Sequence, residues 1–99
     1  MTAEECNETM LVMTAQAIFR NYARHDWRAD DDKMRAFALA ILDEVEIADP
    51  AEVYDRVVSQ DPAELLIGCL DHPDVVDLHR RNPLWKKMGI PPELLVTEH

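Results

Sequence analysis

Apolar positions fall into helical rows almost from the first residue. Cys6, Met10, Met13 and Ala17 make one row, Leu11, Ala15, Ile18 and Tyr22 a second beside it, and Val12 and Phe19 widen the surface further. Spacing of three and four residues predicts a helix over about residues 3–25. Thr2, with Glu5 three positions on, supplies a capping box at its start. Acids (Glu4, Glu5, Glu8) open this helix and bases (Arg20, Arg24) close it, as the macrodipole favours. An apolar surface this wide exceeds what one layer of neighbours usually covers. It predicts central burial or self-association, and a homodimer through the first helix would bury Val12 or Phe19 between chains.

A second helix follows the loop His25-Asp26-Trp27-Arg28-Ala29, with Asp30 as its cap. Met34, Phe37, Ala38, Ile41, Leu42 and Val45 give the cleanest amphipathic pattern in the chain. Its far end carries Asp43, Glu44 and Glu46, although acids are unfavourable at a helix C-terminus.

The second half is punctuated by proline. Asp49-Pro50, Asp61-Pro62, His72-Pro73 and Asn82-Pro83 each pair a capping residue with the residue best suited to the first helical position. The first two open identical tetrapeptides, Asp-Pro-Ala-Glu, at residues 49 and 61. Short helices are expected after each. Val53, Tyr54, Val57 and Val58 are assigned inward from the first of them, Leu65, Leu66, Cys69 and Leu70 from the next, and Val75, Val76, Leu78 and His79 from the third. Leu84, Trp85 and Met88 form a last turn before Gly89 and Pro91-Pro92. The fold class is all-α: a compact helical bundle of two longer N-terminal helices followed by three or four short Pro-initiated ones, as a single domain over residues 1–99.

Composition supports that reading and adds a charge pattern. Two glycines are too few for the turns of an antiparallel β protein of this length. Net charge is −10, and residues 36–77 hold eleven acids against one base, Arg56. Such a field repels nucleic acid and anionic membrane and attracts basic partners. Cys6 and Cys69 fall on the apolar sides of two helices and read as reduced core thiols, with a bridge between the helices as the alternative. The acidic N-terminus does not resemble a signal peptide, and no stretch approaches a membrane span, so a soluble cytoplasmic protein is expected.

Candidate chemistry is sparse. The segment Asp71–His79 carries the ligand types of a divalent metal site, but its spacing matches no specific motif; capping by His72 and a C-terminal cation at His79 explain it more simply. Asp30-Asp31-Asp32 lacks the glycine and distant Glu of a calcium loop. No phosphate-binding loop or nucleophile motif exists, so neither catalysis nor a cofactor is expected.

What remains is an interaction protein, an accessory, inhibitory or regulatory subunit that docks an acidic face on a basic protein partner. The candidate contacts are Asp43, Glu44, Glu46, Glu52 and Asp55, with Glu64, Asp71 and Asp74 completing the acid face. A basic, aromatic island at Arg80, Arg81 and Trp85 is a second candidate, with Trp85 as anchor, or else as a lid on the bundle. A DNA mimic, whose carboxylates imitate phosphates, is the alternative of a different class, and a small metal-binding enzyme or sensor at Asp71–His79 is the third.

Overall fold

The computed structural model describes residues 1–22 and 31–89, with Tyr22 and Trp85 described by their backbone alone. Asp30 and the loop containing Trp27 lie outside the described residues. Among the described residues six helices follow one another: α1 (Ala3–Tyr22), α2 (Asp31–Glu44), α3 (Pro50–Val58), α4 (Pro62–Cys69), α5 (Pro73–Arg81) and α6 (Leu84–Lys87). The all-α bundle with long helices first and short Pro-initiated helices after is therefore what forms.

The width of the α1 surface is resolved by central burial. α1 touches all five other helices. Twenty residues at 1.5 Å each span about 30 Å, most of the molecule's 36 Å long axis. Cys6, Leu11, Val12, Ala15 and Ile18 are buried on different sides of it. Val12 is fully buried within its own chain, so it is not available to a second copy. Phe19, half-buried, stacks at a tilt on Phe37 of α2 with ring centroids 5.6 Å apart. Of the two residues that suggest a dimer, Val12 is thus packed inside the chain and Phe19 is half-buried against α2. Ala38, Ile41 and Leu42 of α2, Val53, Tyr54 and Val57 of α3, Leu65 of α4 and Leu84 of α6 complete the core.

The capping box forms as expected. The Glu5 N–H donates to Thr2 Oγ1 at 3.1 Å, and the Thr2 N–H donates to Glu5 Oε1 at 2.9 Å. The Thr2 backbone N–H, and after it the Thr2 hydroxyl, hold the Glu5 carboxyl below its ordinary pKa. The Pro series is chemically uneven. Asp61 caps α4, accepting from the Ala63 N–H at 3.0 Å. Its twin Asp49 does not cap α3: it sits in the left-handed region at φ 50°, with no side-chain bond to the helix start. His72 makes no cap bond, and the position before α6 is Pro83 rather than Asn82.

The α2–α3 corner explains Asp49. α2 ends in a Schellman arrangement, with Ile47 N–H donating to the Leu42 carbonyl and Glu46 N–H to the Asp43 carbonyl, both at 3.0 Å. The turn residue, at φ 62°, is Glu46 where glycine is usual. Ile47, half-buried, packs on the core and fixes the turn. The chain then leaves α2 too tightly for Asp49 to adopt the extended geometry a capping side chain needs.

Asp61→Ala is expected to destabilise the protein by about 1 kcal/mol, with Asp61→Asn close to wild type because an amide oxygen still accepts. Urea denaturation followed by circular dichroism measures both.

Candidate interaction surface

α4 is more apolar than two helical turns can bury. Leu65 and Cys69, one turn apart, face α1 and are 3% and 2% exposed. The sequence pattern assigns Leu66 and Leu70 inward, yet Leu66, Ile67 and Leu70 are 51%, 65% and 73% exposed. A helix of eight residues presents one row inward, and positions i+1 and i+2 from that row turn away by roughly 100° each. The same limit corrects two other assignments: Val58 of α3 and Leu78 of α5 are exposed, and α5 has no fully buried residue.

The α4 side chains form a ridge between two grooves. One, about 340 Å³, is floored by Met13, Val57 and Leu65 and walled by Val58 and Leu66. The other, about 410 Å³, lies between α4 and α5 and is lined by Leu70, Val76, Asp74, Asp77 and Arg80 among others. Asp61, Glu64, Asp71 and Asp74 around the ridge are all exposed. None of these four forms an ion pair with the described residues.

Other acids are neutralised within the chain. Asp55 receives a bidentate pair from Arg35, Nε to Oδ1 and Nη2 to Oδ2 at 3.0 Å each, which holds its carboxyl below the ordinary range. Glu8, buried on α1, is met by Arg56 Nη2 at 2.7 Å. The one base of the acidic segment is therefore spent on the buried acid of the first helix, and that carboxylate raises the Arg56 pKa.

The sequence candidates divide accordingly. Asp43, Glu44 and Glu46 are exposed at the α2–α3 corner, and Glu52 is exposed in the first turn of α3. Asp55 belongs to the Arg35 pair. Arg80 lines the α4–α5 groove, whereas Arg81 pairs with Asp77 one turn away at 2.8 Å. The Trp85 side chain lies outside the described residues. Leu66, Ile67 and Leu70 are the surface residues that sequence reasoning missed. The signal was present: four of the five residues Leu65, Leu66, Ile67, Cys69 and Leu70 are branched aliphatics on a helix bounded closely by Asp61-Pro62 and His72-Pro73.

The two histidines of the Asp71–His79 segment bond the N-terminal segment instead of gathering ligands. His72 Nε2 donates to the Met1 carbonyl at 2.6 Å, and His79 Nε2 donates to Asn7 Oδ1 at 2.7 Å. Among the described residues no group of three His, Cys, Asp or Glu could hold a metal ion. No described helix is long and apolar enough to cross a membrane. Burial holds the His79 pKa below its ordinary 6.5, and the Lys87 charge adds to the effect.

Arg56→Met strands the Glu8 carboxylate and is expected to cost about 1–3 kcal/mol, part of which Glu8→Gln in the same chain restores; a double-mutant cycle in urea measures it. His79 takes up a proton more readily in the unfolded chain than in the folded one, so its contribution is fully present above pH 6.5 and is lost as pH falls through the lower folded value. The urea midpoint should decline between about pH 7 and 5, and His79→Gln should flatten that decline. Against this geometry, no protein-family model, no curated protein and no solved structure matches the chain.

Proposed function

We propose that this protein is a cytoplasmic accessory or regulatory subunit that docks the acid-rimmed ridge of α4 on a basic protein partner. The exposure of Leu66, Ile67 and Leu70 in one cluster carries the reading. Apolar side chains this exposed are what a protein interface buries at its centre, and aliphatic or aromatic residues of a partner fit the flanking grooves. Asp61, Glu64, Asp71 and Asp74 supply the polar rim, and the net charge of −10 accelerates encounter with a positive surface. Two reduced, buried thiols accord with a reducing compartment.

This places the energetic centre away from the α2–α3 corner. Asp43, Glu44, Glu46 and Glu52 act in steering, at longer range, and Arg80 helps to orient the partner at the edge of its groove. The DNA-mimic alternative gains no support from the ridge, because three exposed aliphatic side chains are a poor imitation of a phosphate backbone. Asp55, Glu8 and Asp77 are moreover committed to internal ion pairs.

A pull-down from native lysate at low salt is expected to recover a basic protein and to lose much of it at high salt. Leu70→Ser should weaken the recovered complex about tenfold, given the transfer energy of one largely exposed leucine, while Glu44→Gln should change mainly the association rate. Titration calorimetry and stopped-flow kinetics on the identified pair separate these effects. Equal affinity for wild type and Leu70→Ser would remove α4 from the interface.

A further inference from the structure

The exposed side of α4 has a helical period of its own. Ala63, Leu66, Ile67 and Leu70 are all exposed, and they stand at positions i, i+3, i+4 and i+7. Leu70, the C-cap residue, keeps helical dihedrals at φ −64° and ψ −22°, so it continues the row. At about 100° per residue the four fall within about 100° of arc, centred about 130° from the buried row of Leu65 and Cys69. α4 thus packs on its own chain through one row and offers solvent a second, with the spacing that helices present to other helices. At 1.5 Å per residue the outer row is about 10 Å long, or about two turns. Leu66 walls the groove on one side of it and Leu70 lines the groove on the other. A ridge between two grooves is the complement of a second helix, whose own side-chain rows lie on either side of a furrow.

Charge selects the occupant. Asp61 caps the start of the row, Glu64 lies beside Ile67 on the helix surface, Asp71 follows its end, and Asp74 lines the α4–α5 groove. Arg20 and Arg80 line one groove each, which leaves four acids against two bases around the row. Asp77 of the second groove is already paired with Arg81. A second copy of the chain would set these same acids against each other across a two-fold axis. An extended peptide is bound along an open sheet edge, and the described residues contain no strand. Polyproline segments dock on aromatic-lined grooves, and no described aromatic side chain lines either groove. Resting on the docking surface assigned above, we propose that its occupant is an amphipathic α-helix of the partner protein, with apolar side chains at 3–4 spacing and Lys or Arg at the flanking positions. The partner helix lies over Leu66, Ile67 and Leu70 at an interaxial distance of about 8–10 Å. Its neighbouring side chains enter the two grooves. Its flanking cations meet Glu64 and Asp71 at the edge of the contact, as charged residues do beside a coiled-coil seam.

The test uses the full chain and three synthetic peptides of about 18 residues, a length that supports a helix. The first repeats leucine at i, i+3, i+4 and i+7 with lysine on the flanks. The second scrambles the same residues so that no row forms, and the third replaces lysine by glutamate. Fluorescence anisotropy gives the affinities and amide NMR shifts locate the site. The first peptide is expected to bind at least tenfold more tightly than either of the others, to gain helicity by circular dichroism, and to shift the amides of Ala63, Leu66, Ile67 and Leu70. Ile67→Glu separates packing from charge. It adds an acid to the face, so a purely electrostatic complex tightens, whereas a seated helix binds about tenfold more weakly. Ile67 is exposed and glutamate is a good helix former, so the variant should fold, which circular dichroism checks. Equal affinity for the first two peptides, with shifts still on α4, overturns the helical occupant and leaves a basic partner standing. Equal affinity for the lysine and glutamate peptides overturns the basic partner as well. Absence of binding, or shifts away from α4, removes the helix from this face. A dimer by light scattering that Ile67→Glu dissociates gives the face to a second copy and likewise overturns the proposal.

Discussion

The burial of α1 on nearly all sides is the constraint on which the rest of the structure depends. In most small bundles each helix turns one stripe inward, and the core is the space between stripes. Here one helix occupies that space. Leu11, Ala15 and Ile18 form one buried row, Cys6 and Val12 are buried outside it, and every other described helix packs on α1. A helix with this role cannot place its polar residues freely. Glu8 is drawn into the interior, and it is tolerated because Arg56 reaches it from α3. Removal of Arg56 leaves the Glu8 carboxylate, whose side chain is 12% exposed, in a poorly solvated position, so a polar contact is as much a condition of this packing as the apolar rows are.

The outer helices follow from the same arrangement. A central rod of about 30 Å is covered more evenly by several short segments than by one long one, and proline with a capping residue is an economical way to restart a helix every ten to twelve residues. Short segments carry a geometric cost. Two turns give one inward row, so any further apolar residue on them faces solvent. Leu78, Val58 and the α4 trio are all exposed for that reason. Among these, only the α4 residues are adjacent on one helix, and isolated exposed aliphatics elsewhere need no explanation.

Much of the fold was legible in the sequence because it rests on local rules. Periodicity located α1 and α2, and Asp/His-Pro pairs located the starts of α3, α4 and α5. The Thr2–Glu5 box was readable from two residues three apart. What stayed hidden depended on tertiary placement. Asp49 and Asp61 open identical tetrapeptides, yet only Asp61 caps, because the chain arrives at Asp49 from the left-handed turn at Glu46. Width of the apolar surface on α1 allowed central burial or a dimer, and only the positions of the other helices decide between them. His72 and His79 suggested a ligand cluster by proximity in sequence, but each is engaged by the N-terminal segment, about seventy residues away.

The acidic surface reads differently once internal pairs are subtracted. Charge density alone pointed to the whole segment between residues 36 and 77. Within it Asp55 and Asp77 are paired inside the chain, Asp61 is partly committed to its cap, and Arg56 is withdrawn toward α1. The loss of Arg56 to Glu8 leaves the exposed part of the segment without a compensating cation of its own. The field that results is therefore partly a consequence of how α1 is buried: the interior acid consumes the only base the segment has. Core packing and surface charge are thus set at the same residue, Arg56. That coupling ties the strength of the acidic field around α4 to the integrity of the core beneath it.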